Sequence, residues 1–459
     1  MQAKKNLMTN ELKRRKTPPR GTFSSSTRLP RVAGIIHDRF RKAPISLCLF
    51  LSLVCAGISA TAASRWTVED TGGALGQTKA PVAGVPPLKK GQIVAARSGR
   101  LGLTEPAGKA ASAAIIPVQW EPGDTESELR GVWLMSPGAV GRRQFEWRER
   151  DAPFASIMQA RQDVVSGQID ISDDGKPVLR YNYKAIEPGD VLDKVTAANR
   201  IYARARGDYI HPLFGLNSEV LTRDWSIDHP HHRGIYWAWP EVDFGQERGD
   251  LHALQKVFAR PTGKLQLRSG PVFAQIEAEN LWLWEDREPI VREQAIIRAY
   301  RATPQGRVVD LAFRFVALKE GITVARRGTD KYGGLSPRMA TPAAQKISTH
   351  TDLSNTVPRR AWSDLSGSFA GAAAPSGLSV LQHPKNPDYP GDWVQYPELS
   401  WCQPTFPAAN TRYILSPGKP LVLRFRLWVH SGAELEPIRG AELWDAFNAS
   451  AAALPIFDH

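Results

Sequence analysis

The chemistry-bearing residues of this chain are concentrated in the stretch 228–234, DHPHHRG, which holds three of the ten histidines. Pro230 lacks a backbone donor and restricts the residue before it to extended conformations. We therefore expect an extended loop in which His229 and His231 face one side and His232 faces the other. One pair of rings could then converge on a ligand while the third ring points into a supporting shell.

Metal binding is the first interpretation of this stretch. Neutral imidazole is a common metal ligand, and the spacing of His229 and His231 suits one divalent metal ion on an extended chain. Asp228 or Asp243 could add a carboxylate ligand or orient a ring. The pattern matches no strong zinc signature, so the sequence leaves the presence and the identity of a metal open.

Acid–base catalysis is the second interpretation. A histidine has its pKa near neutrality and could move a proton to or from a sugar hydroxyl, a ring oxygen or a carbon acid. The candidates are His229, His231 and His232, and Arg233 would stabilise an anionic intermediate. In the third interpretation the rings only hold the loop in place, but clustered titratable groups are more typical of functional sites.

Aromatic and polar residues elsewhere could complete a binding site. Trp237 follows the histidines and could offer a flat face to a pyranose ring, with core packing as the alternative. Two later loops, 328–340 (GTDKYGGLSPRMA) and 382–393 (QHPKNPDYPGDW), combine polar side chains with glycine or proline turns. Such loops often carry sites, and ordinary turns are the alternative for both. Their candidate ligand-binding residues are Lys331, Tyr332, Arg338, His383, Asn386 and Trp393.

The elements that must position these residues have the pattern of strands. Short alternating runs rich in valine, isoleucine and aromatic residues recur from residue 96 onward, for example RVVDLAFRFVAL at 307–318, and turn residues separate them. Helices are scarce, and the two candidates are PFASIMQARQDVV (153–165) and ELWDAFNASAAAL (442–454). The pattern predicts an all-β fold, a large antiparallel β-sandwich of the supersandwich type with few short helices.

The N-terminal region has the composition of an export signal. Residues 1–42 carry 12 Lys and Arg residues against 2 Asp and Glu residues, and an apolar run at 45–58 and small residues at 60–62 follow. This order is typical of a cleaved signal peptide, with an uncleaved signal anchor as the alternative. We therefore expect an exported protein that is periplasmic, cell-surface or extracellular. The predicted organisation is 1–63 basic region and signal peptide, 64–95 flexible linker, 96–164 N-terminal β segment of the sandwich, 165–450 main β-sandwich domain and 451–459 C-terminal tail.

The rest of the chain is nearly neutral. It holds 47 basic and 44 acidic residues, so it lacks the excess of basic residues that binding to a phosphate backbone requires. We expect no nucleic-acid partner and, after signal cleavage, no stable membrane span. Only Cys402 remains after cleavage, so the mature protein can form no internal disulfide.

Four motifs, DHPHHRGIYWAWPEVDFG, GPVFAQIEAENLW, KYGGLSPRMA and LQHPKNPDYPGDW, occur in this order. In residues 165–450 the chain resembles a bacterial family of unknown function that carries the label methane oxygenase PmoA. Members of that family look like β-sandwich proteins, similar to galactose-mutarotase-like sugar enzymes, and many are exported. The resemblance implies a carbohydrate or modified sugar as the ligand. It also implies importance for Arg223, Asp228, His229, His231, His232, Arg233, Asp243, Lys331, Tyr332, Arg338, His383, Asn386 and Trp393.

Together these features predict an exported carbohydrate-active enzyme with acid–base or metal-assisted chemistry of the epimerase, lyase or hydrolase type. A non-catalytic glycan-binding or cell-surface protein is the alternative, and an oxygenase with copper or iron is a third, less favoured hypothesis. The expected catalytic residues are His229, His231, His232 and Arg233, and His229 and His231 are the expected ligands of one divalent metal ion. The expected substrate-binding residues are Arg223, Asp228, Trp237, Asp243, Lys331, Tyr332, Arg338, His383, Asn386 and Trp393.

Overall fold

The computed structural model describes residues 65–70, 79–105, 114–125, 128–136, 141–351, 360–449 and 452–457. Within these ranges strands dominate, and the two α-helices are Lys90–Arg97 (α1) and Pro437–Asn448 (α2). Short 3₁₀ segments cover Gly189–Asp193, Arg200–Tyr202, Arg327–Thr329 and Pro397–Leu399. The predicted all-β fold with few short helices is confirmed. The predicted signal peptide lies outside the described residues.

The strands, numbered in chain order, have the following bounds. They are β1 Arg65–Asp70, β2 Ala80–Gly84, β3 Leu101–Thr104, β4 Gln119–Pro122, β5 Leu129–Met135, β6 Gly141–Glu149, β7 Met158–Asp163, β8 Gln168–Asp173, β9 Lys176–Asn182, β10 Tyr209–Leu213, β11 Ile235–Ala238, β12 Glu241–Phe244, β13 Glu247–Gly249, β14 Val257–Arg268, β15 Phe273–Trp284, β16 Glu288–Tyr300, β17 Gly306–Ala317, β18 Ile322–Ala325, β19 Gly334–Pro337, β20 Ala343–Thr351, β21 Ala361–Ser368, β22 Ser376–Gln382, β23 Trp393–Tyr396, β24 Trp401–Pro404, β25 Tyr413–Leu415 and β26 Leu421–Ser431.

Two large sheets carry the main domain. One has eight strands in the order β14-β15-β16-β17-β26-β22-β21-β20, and the other has six in the order β19-β11-β10-β9-β8-β7. A four-stranded sheet, β13-β12-β18-β25, lies beside them, and the remaining sheets are β1-β6-β3, β2-β5-β4 and β23-β24. Neighbouring strands in the described part of the chain pair antiparallel throughout; the ladder Ile235↔Pro337 to Ala238↔Gly334 joins β11 to β19.

The main core lies between the eight-stranded sheet and the two sheets that face it. Trp237 on β11 stacks on Trp239 with ring centroids 4.7 Å apart, and it meets Phe313 of β17 edge-on at 4.8 Å. Phe244 of β12 contacts Trp284 of β15 in the same way. These contacts bury large apolar rings between two layers, which is the packing of a β-sandwich.

A second, smaller core forms around the N-terminal strands. Trp66 of β1 stacks on Trp147 of β6 at 5.4 Å, and Val82 of β2 is buried in the same cluster. The segment 64–95, predicted as a flexible linker, therefore contains β1, β2 and the start of α1. Its Ala, Gly and Pro composition conceals two strands, because their few large apolar residues find partners on distant strands.

Two further segments differ from the sequence-based expectation. The predicted helix at 153–165 is the edge strand β7, which pairs with β8 in the register Met158↔Asp173. The open backbone groups of β8 need partners, and this outweighs the helical spacing of a few apolar residues. In the predicted C-terminal tail, the carbonyl of Ala453 accepts a hydrogen bond from the Tyr300 hydroxyl at 2.6 Å. The second predicted helix, 442–454, is confirmed in part, because α2 begins earlier, at Pro437, and ends at Asn448.

None of the helices within the described ranges is long and apolar enough to cross a membrane.

Candidate metal centre

The histidine-rich stretch forms a turn in the loop between β10 and β11. The backbone N–H of His232 donates to the carbonyl of His229 at 2.9 Å. Gly234 closes the turn with a φ of +57°, and a β-carbon there would lie 2.1 Å from the carbonyl oxygen of Ile210, so the position requires glycine. The turn replaces the extended loop that the sequence predicted. All three rings consequently lie together, with the centroids of His231 and His232 4.6 Å apart.

A fourth histidine reaches the same place from the loop after β13. The backbone N–H groups of Leu251 and His252 both donate to the carbonyl of Trp239. The buried guanidinium of Arg206 donates to the carbonyls of Leu251 and His252 at 2.6 and 2.7 Å. It also lies over the ring of Tyr236, 4.7 Å from its centroid. Arg206 therefore holds the backbone of His252 in place from beneath the site.

His231, His232 and His252 form a compact triad. One ring nitrogen of each lies within 4.8 Å of the other two. The Nδ1 atoms of His231 and His232 are buried and have no hydrogen-bond partner among the described residues. Nδ1 of His252 lies 3.1 Å from the Tyr236 hydroxyl, which leaves its Nε2 as the ligand atom. Buried nitrogens without partners and an oriented third ring fit a metal ion with three histidine ligands.

Burial keeps the triad in the form that binds metals. Desolvation and the neighbouring His229 lower the pKa of His231 to about 3. Burial, reinforced by the neighbouring histidines and arginines, holds the pKa values of His232 and His252 well below the ordinary value. The three rings are therefore neutral at neutral pH, and only neutral imidazole offers a lone pair to a metal.

The triad forms one wall of a pocket with a volume of about 550 Å³. Aromatic side chains line much of the rest, and Tyr396 stacks on Trp401 with centroids 5.4 Å apart. Trp401 in turn packs against the rings of His232 and His252. The pocket thus joins flat apolar faces to polar groups. Its lining residues are Asn199, Tyr202, Asp228, His229, His231, His232, His252, Ala253, Arg327, Tyr332, Tyr396, Glu398, Leu399 and Trp401.

His229 lies at the rim of the pocket, where its ring stacks on that of His232 with centroids 4.8 Å apart. Its side chain is 39% exposed, and its Nδ1 lies 3.0 Å from Oδ2 of Asp228. This contact fixes one nitrogen against a carboxylate and leaves Nε2 available to a ligand. The arrangement suits proton transfer. The metal ligands predicted from the sequence were His229 and His231, whereas the structure groups His231 with His232 and His252.

The structure places five of the residues singled out in the sequence on the pocket wall. They are Asp228, His229, His231, His232 and Tyr332. The hydroxyl of Tyr332 accepts a hydrogen bond from Nε of Arg327. Nη2 of the same arginine donates to Asp250 at 2.6 Å. This chain of contacts links the Tyr332 loop to the loop that carries His252.

Arg233 and Trp237 were expected to act on a ligand, but both are buried in the fold. Arg233 donates to Asp224 and to the Tyr209 hydroxyl, and its guanidinium lies 3.4 Å from the ring centroid of Trp225. Trp237 is 3% exposed within the main core. Because alternation along a strand separates two faces without telling which face is buried, the sequence did not distinguish a core tryptophan from a ligand platform.

The remaining candidates also lie away from the pocket lining. Asp243 pairs with Arg248 and Arg412 at 2.8 and 2.7 Å. Asn386 exchanges two 2.8 Å hydrogen bonds with the backbone of Arg424, which are loop-closing contacts. Nδ1 of His383 accepts from the backbone of Lys385, the Lys331 side chain is exposed, and Trp393 packs half-buried against the main core.

Arg338 and Arg223 lie next to the pocket. The backbone N–H of Arg338 donates to the carbonyl of Gly234 at 2.7 Å, and its carbonyl accepts from the N–H of Arg223. Arg338 also bridges to Trp401. Burial and the like charge of Arg223 lower the pKa of Arg338 to about 10. Both arginines are therefore tied by backbone contacts to the loops that form the site.

Comparison with known families places the chain in one of them. A family of unknown function, DUF6807, matches residues 168–445. The chain belongs to this family. The match covers the histidine turn, His252 and the loop of Trp401, so the whole candidate site lies within the DUF6807 region. No curated protein matches the chain.

Sequence reasoning missed His252, Arg206 and Trp401. His252 is a single histidine in GDLHALQ, twenty residues beyond the cluster, and nothing around it suggests a ligand. Its role follows only from the backbone contacts that carry its loop to Trp239. The clustered histidines were a visible signal, whereas the ligand that completes the triad comes from a tertiary contact.

Proposed function

We propose that this DUF6807 protein is a metal-dependent enzyme that acts on a carbohydrate. The observation that carries the proposal is the convergence of His231, His232 and His252 on one wall of an aromatic-lined pocket. A site with three neutral histidines leaves a coordination position open, as catalytic sites require and structural sites do not. The pocket volume of about 550 Å³ is in the range of small-molecule sites.

The residues of the pocket would have separate roles in this reaction. The triad would hold a divalent ion, which when bound would act as a Lewis acid or lower the pKa of a water molecule. His229, oriented by Asp228, would give or take a proton at the rim through Nε2. Tyr396 and Trp401 would contact the apolar face of a sugar ring, and Asn199 and Glu398 are available to its hydroxyls.

Two finer expectations belong to the same proposal. The antiparallel sandwich supports the likeness to galactose-mutarotase-like sugar enzymes, which is a statement about fold. The basic leader followed by a short apolar run supports export. Export is checked by the mass of the protein purified from its native source, where loss of the leader is the expected result and an intact N-terminus would contradict it.

The first experiment measures the metal content of the purified protein by elemental mass spectrometry. We expect about one equivalent of zinc, manganese, iron or copper per chain, lost in His252→Ala and in His231→Ala because each leaves only two ligands. His350→Ala is the matched control, since His350 is a partly buried histidine that stacks on Trp362 away from the pocket. Its metal content should equal that of the wild type.

Turnover of a sugar panel then tests catalysis. Metal-loaded protein should convert at least one saccharide, and His252→Ala should be inactive. Saccharide binding without turnover, unaffected by removal of the metal, would favour a glycan-binding protein instead. Absence of metal from both the wild type and the variant after incubation with each ion would overturn the proposal. Bound copper or iron with oxygen-dependent turnover would favour the oxygenase hypothesis.

A further inference from the structure

Arg338 is an exception among the buried arginines of the described chain. Its residue is 1% exposed, yet its Nε and Nη1 atoms have no hydrogen-bond partner. No ion pair within the described ranges includes it. Other deeply buried guanidinium groups have a carboxylate partner: Arg298 pairs with Glu121, Arg307 with Asp173, and Arg426 with Asp310. Arg206 also lacks an ion pair in the described ranges, but its guanidinium donates to two backbone carbonyls. The guanidinium of Arg338 has neither kind of partner within those ranges.

A second arginine makes this arrangement more unfavourable. The backbone N–H of half-buried Arg223 donates to the carbonyl of Arg338 at 3.0 Å, and the like charge of Arg223 lowers the pKa of Arg338. No side-chain hydrogen bond or ion pair of Arg223 is found in the described ranges either. A buried, uncompensated charge is costly, and two adjacent guanidinium groups repel each other. An anion between them would remove both penalties.

The two arginines adjoin the candidate metal centre. The groups that act electrostatically on Arg338 include Asp228 and Glu398, which line the pocket. Neither carboxylate comes within ion-pair distance of Arg338. Arg338 also acts on His232 of the triad, and its backbone is fixed to Gly234 of the histidine turn. Neither arginine is part of the pocket lining, but the backbone of Arg338 is bonded to Gly234 and paired with Trp401, which lines the pocket. An anionic group would therefore reach Arg338 from a molecule bound in the adjoining pocket.

We propose that the ligand of this pocket carries an oxyanion, a carboxylate, sulfate or phosphate, that binds Arg338 and Arg223. This inference rests on the proposed function, because it names the class of sugar that the site takes. Guanidinium groups offer planar pairs of donors that match such oxyanions. The ligand class is then an acidic saccharide, either a uronic acid or a sulfated or phosphorylated sugar, and neutral sugars lack the group that these donors require.

The test measures calorimetric affinities of glucuronate, glucose 6-sulfate, glucose 6-phosphate and glucose for the metal-loaded full chain at equal ionic strength. We expect at least one anionic sugar to bind about tenfold or more tightly than glucose. Arg338→Gln and Arg223→Gln should each abolish that preference while retaining the metal. The anion that binds best distinguishes a carboxylate from a sulfate or phosphate. Arg424→Gln is the matched control, a half-buried arginine on β26 outside the pocket lining.

Two results would overturn the inference. One is equal affinity for glucose and all three anionic sugars in the wild type. The other is a preference that persists in both Arg338→Gln and Arg223→Gln. The metal content distinguishes a failure of this inference from a failure of the proposed function. If either result is obtained with one equivalent of metal bound, only the oxyanion subsite is refuted. A melting temperature measured without anions gives an independent check: Arg338→Gln should not lower it, and a marked fall would show that Arg338 has a structural partner.

Discussion

Two buried polar clusters that contain histidine, the one around His430 and the triad, differ in how their polar atoms are satisfied. In the cluster of His430, Nε2 lies 2.9 Å from Asp364 and Nδ1 lies 3.2 Å from the carbonyl of Ser431. In the triad, Nδ1 of His231 and of His232 is buried without a partner. Buried polar atoms are almost always hydrogen-bonded. The polar atoms of the His430 cluster therefore find their partners within the protein. Those of the triad would find them in a bound ligand.

Asp364 shows what a completed network looks like. Its two oxygens also accept hydrogen bonds from Ser379 at 2.7 Å, from Ser366 at 3.0 Å and from the backbone of Leu435 at 3.3 Å. Asp364 is 1% exposed, and apart from Ser366 on its own strand its partners come from segments distant in sequence. Its removal would leave several buried donors without an acceptor at once. Among the described residues the triad has no equivalent central group, and under the proposed function a metal ion would take that place.

The largest expected effect is on stability, at Asp364. Asp364→Ala should lower the free energy of unfolding by about 3–5 kcal/mol, because it leaves buried partners uncompensated. His231→Ala, measured in the presence of a chelator, should change it by less than about 1 kcal/mol, since that ring makes no hydrogen bond through Nδ1. Urea unfolding at neutral pH measures both. Equal losses in the two variants would remove the contrast between the clusters.

The sequence predicted the fold class from the alternation of apolar residues, and the sheets bear this out. It could not predict the N-terminal strands, because Ala, Gly and Pro around Trp66 and Val82 resemble a linker until the partner strands are known. Local composition predicts a strand only when the segment itself contains enough large apolar residues to form a buried face. In β1 and β2 the apolar residues are Trp66, Val68, Ala80 and Val82, and they form a core only when Trp147 and other distant residues pack against them.

The candidate site likewise contains residues that the sequence indicates and residues that only tertiary contacts bring there. The pattern of the histidine turn was visible in the sequence, and the structure brings its rings to one pocket. His252 was not visible, because its place depends on contacts with Trp239 and Arg206 from other strands. Arg233 had the same polar character in sequence as His231, yet it braces Asp224 and Tyr209. Residue type shows what chemistry is available, and only packing shows where each side chain points.

The next effect concerns the hydroxyl that orients the triad. Tyr236→Phe removes the group 3.1 Å from Nδ1 of His252, and it should weaken metal affinity by about 10- to 100-fold. Competition with a chelator measures the change. Tyr300→Phe is the control, since it removes a buried hydroxyl bonded to the carbonyl of Ala453, remote from the pocket. Unchanged affinity in Tyr236→Phe would show that the triad needs no orienting partner.

The smallest effect tests whether a satisfied histidine behaves as structure alone. Burial, and next the charge of Arg424, lower the pKa of His383 from 6.5 to about 4. Its neutral Nδ1 accepts the Lys385 backbone N–H at 3.1 Å, and its ring meets Phe447 edge-on. Between these pKa values the unfolded chain takes up a proton that the folded chain does not. The stability contributed by His383 is thus complete above pH 6.5 and is lost as the pH falls toward about 4.

The difference between the wild type and His383→Gln isolates this contribution, because all other titrations cancel. Urea unfolding across the same pH interval should show the wild type losing about 1–2 kcal/mol more than the variant as the pH falls. Parallel curves would mean that His383 is as readily protonated in the fold as in the unfolded chain. His383 would then be accessible to a proton despite its contacts, and hydrogen-bond satisfaction would no longer separate structural histidines from those of the triad.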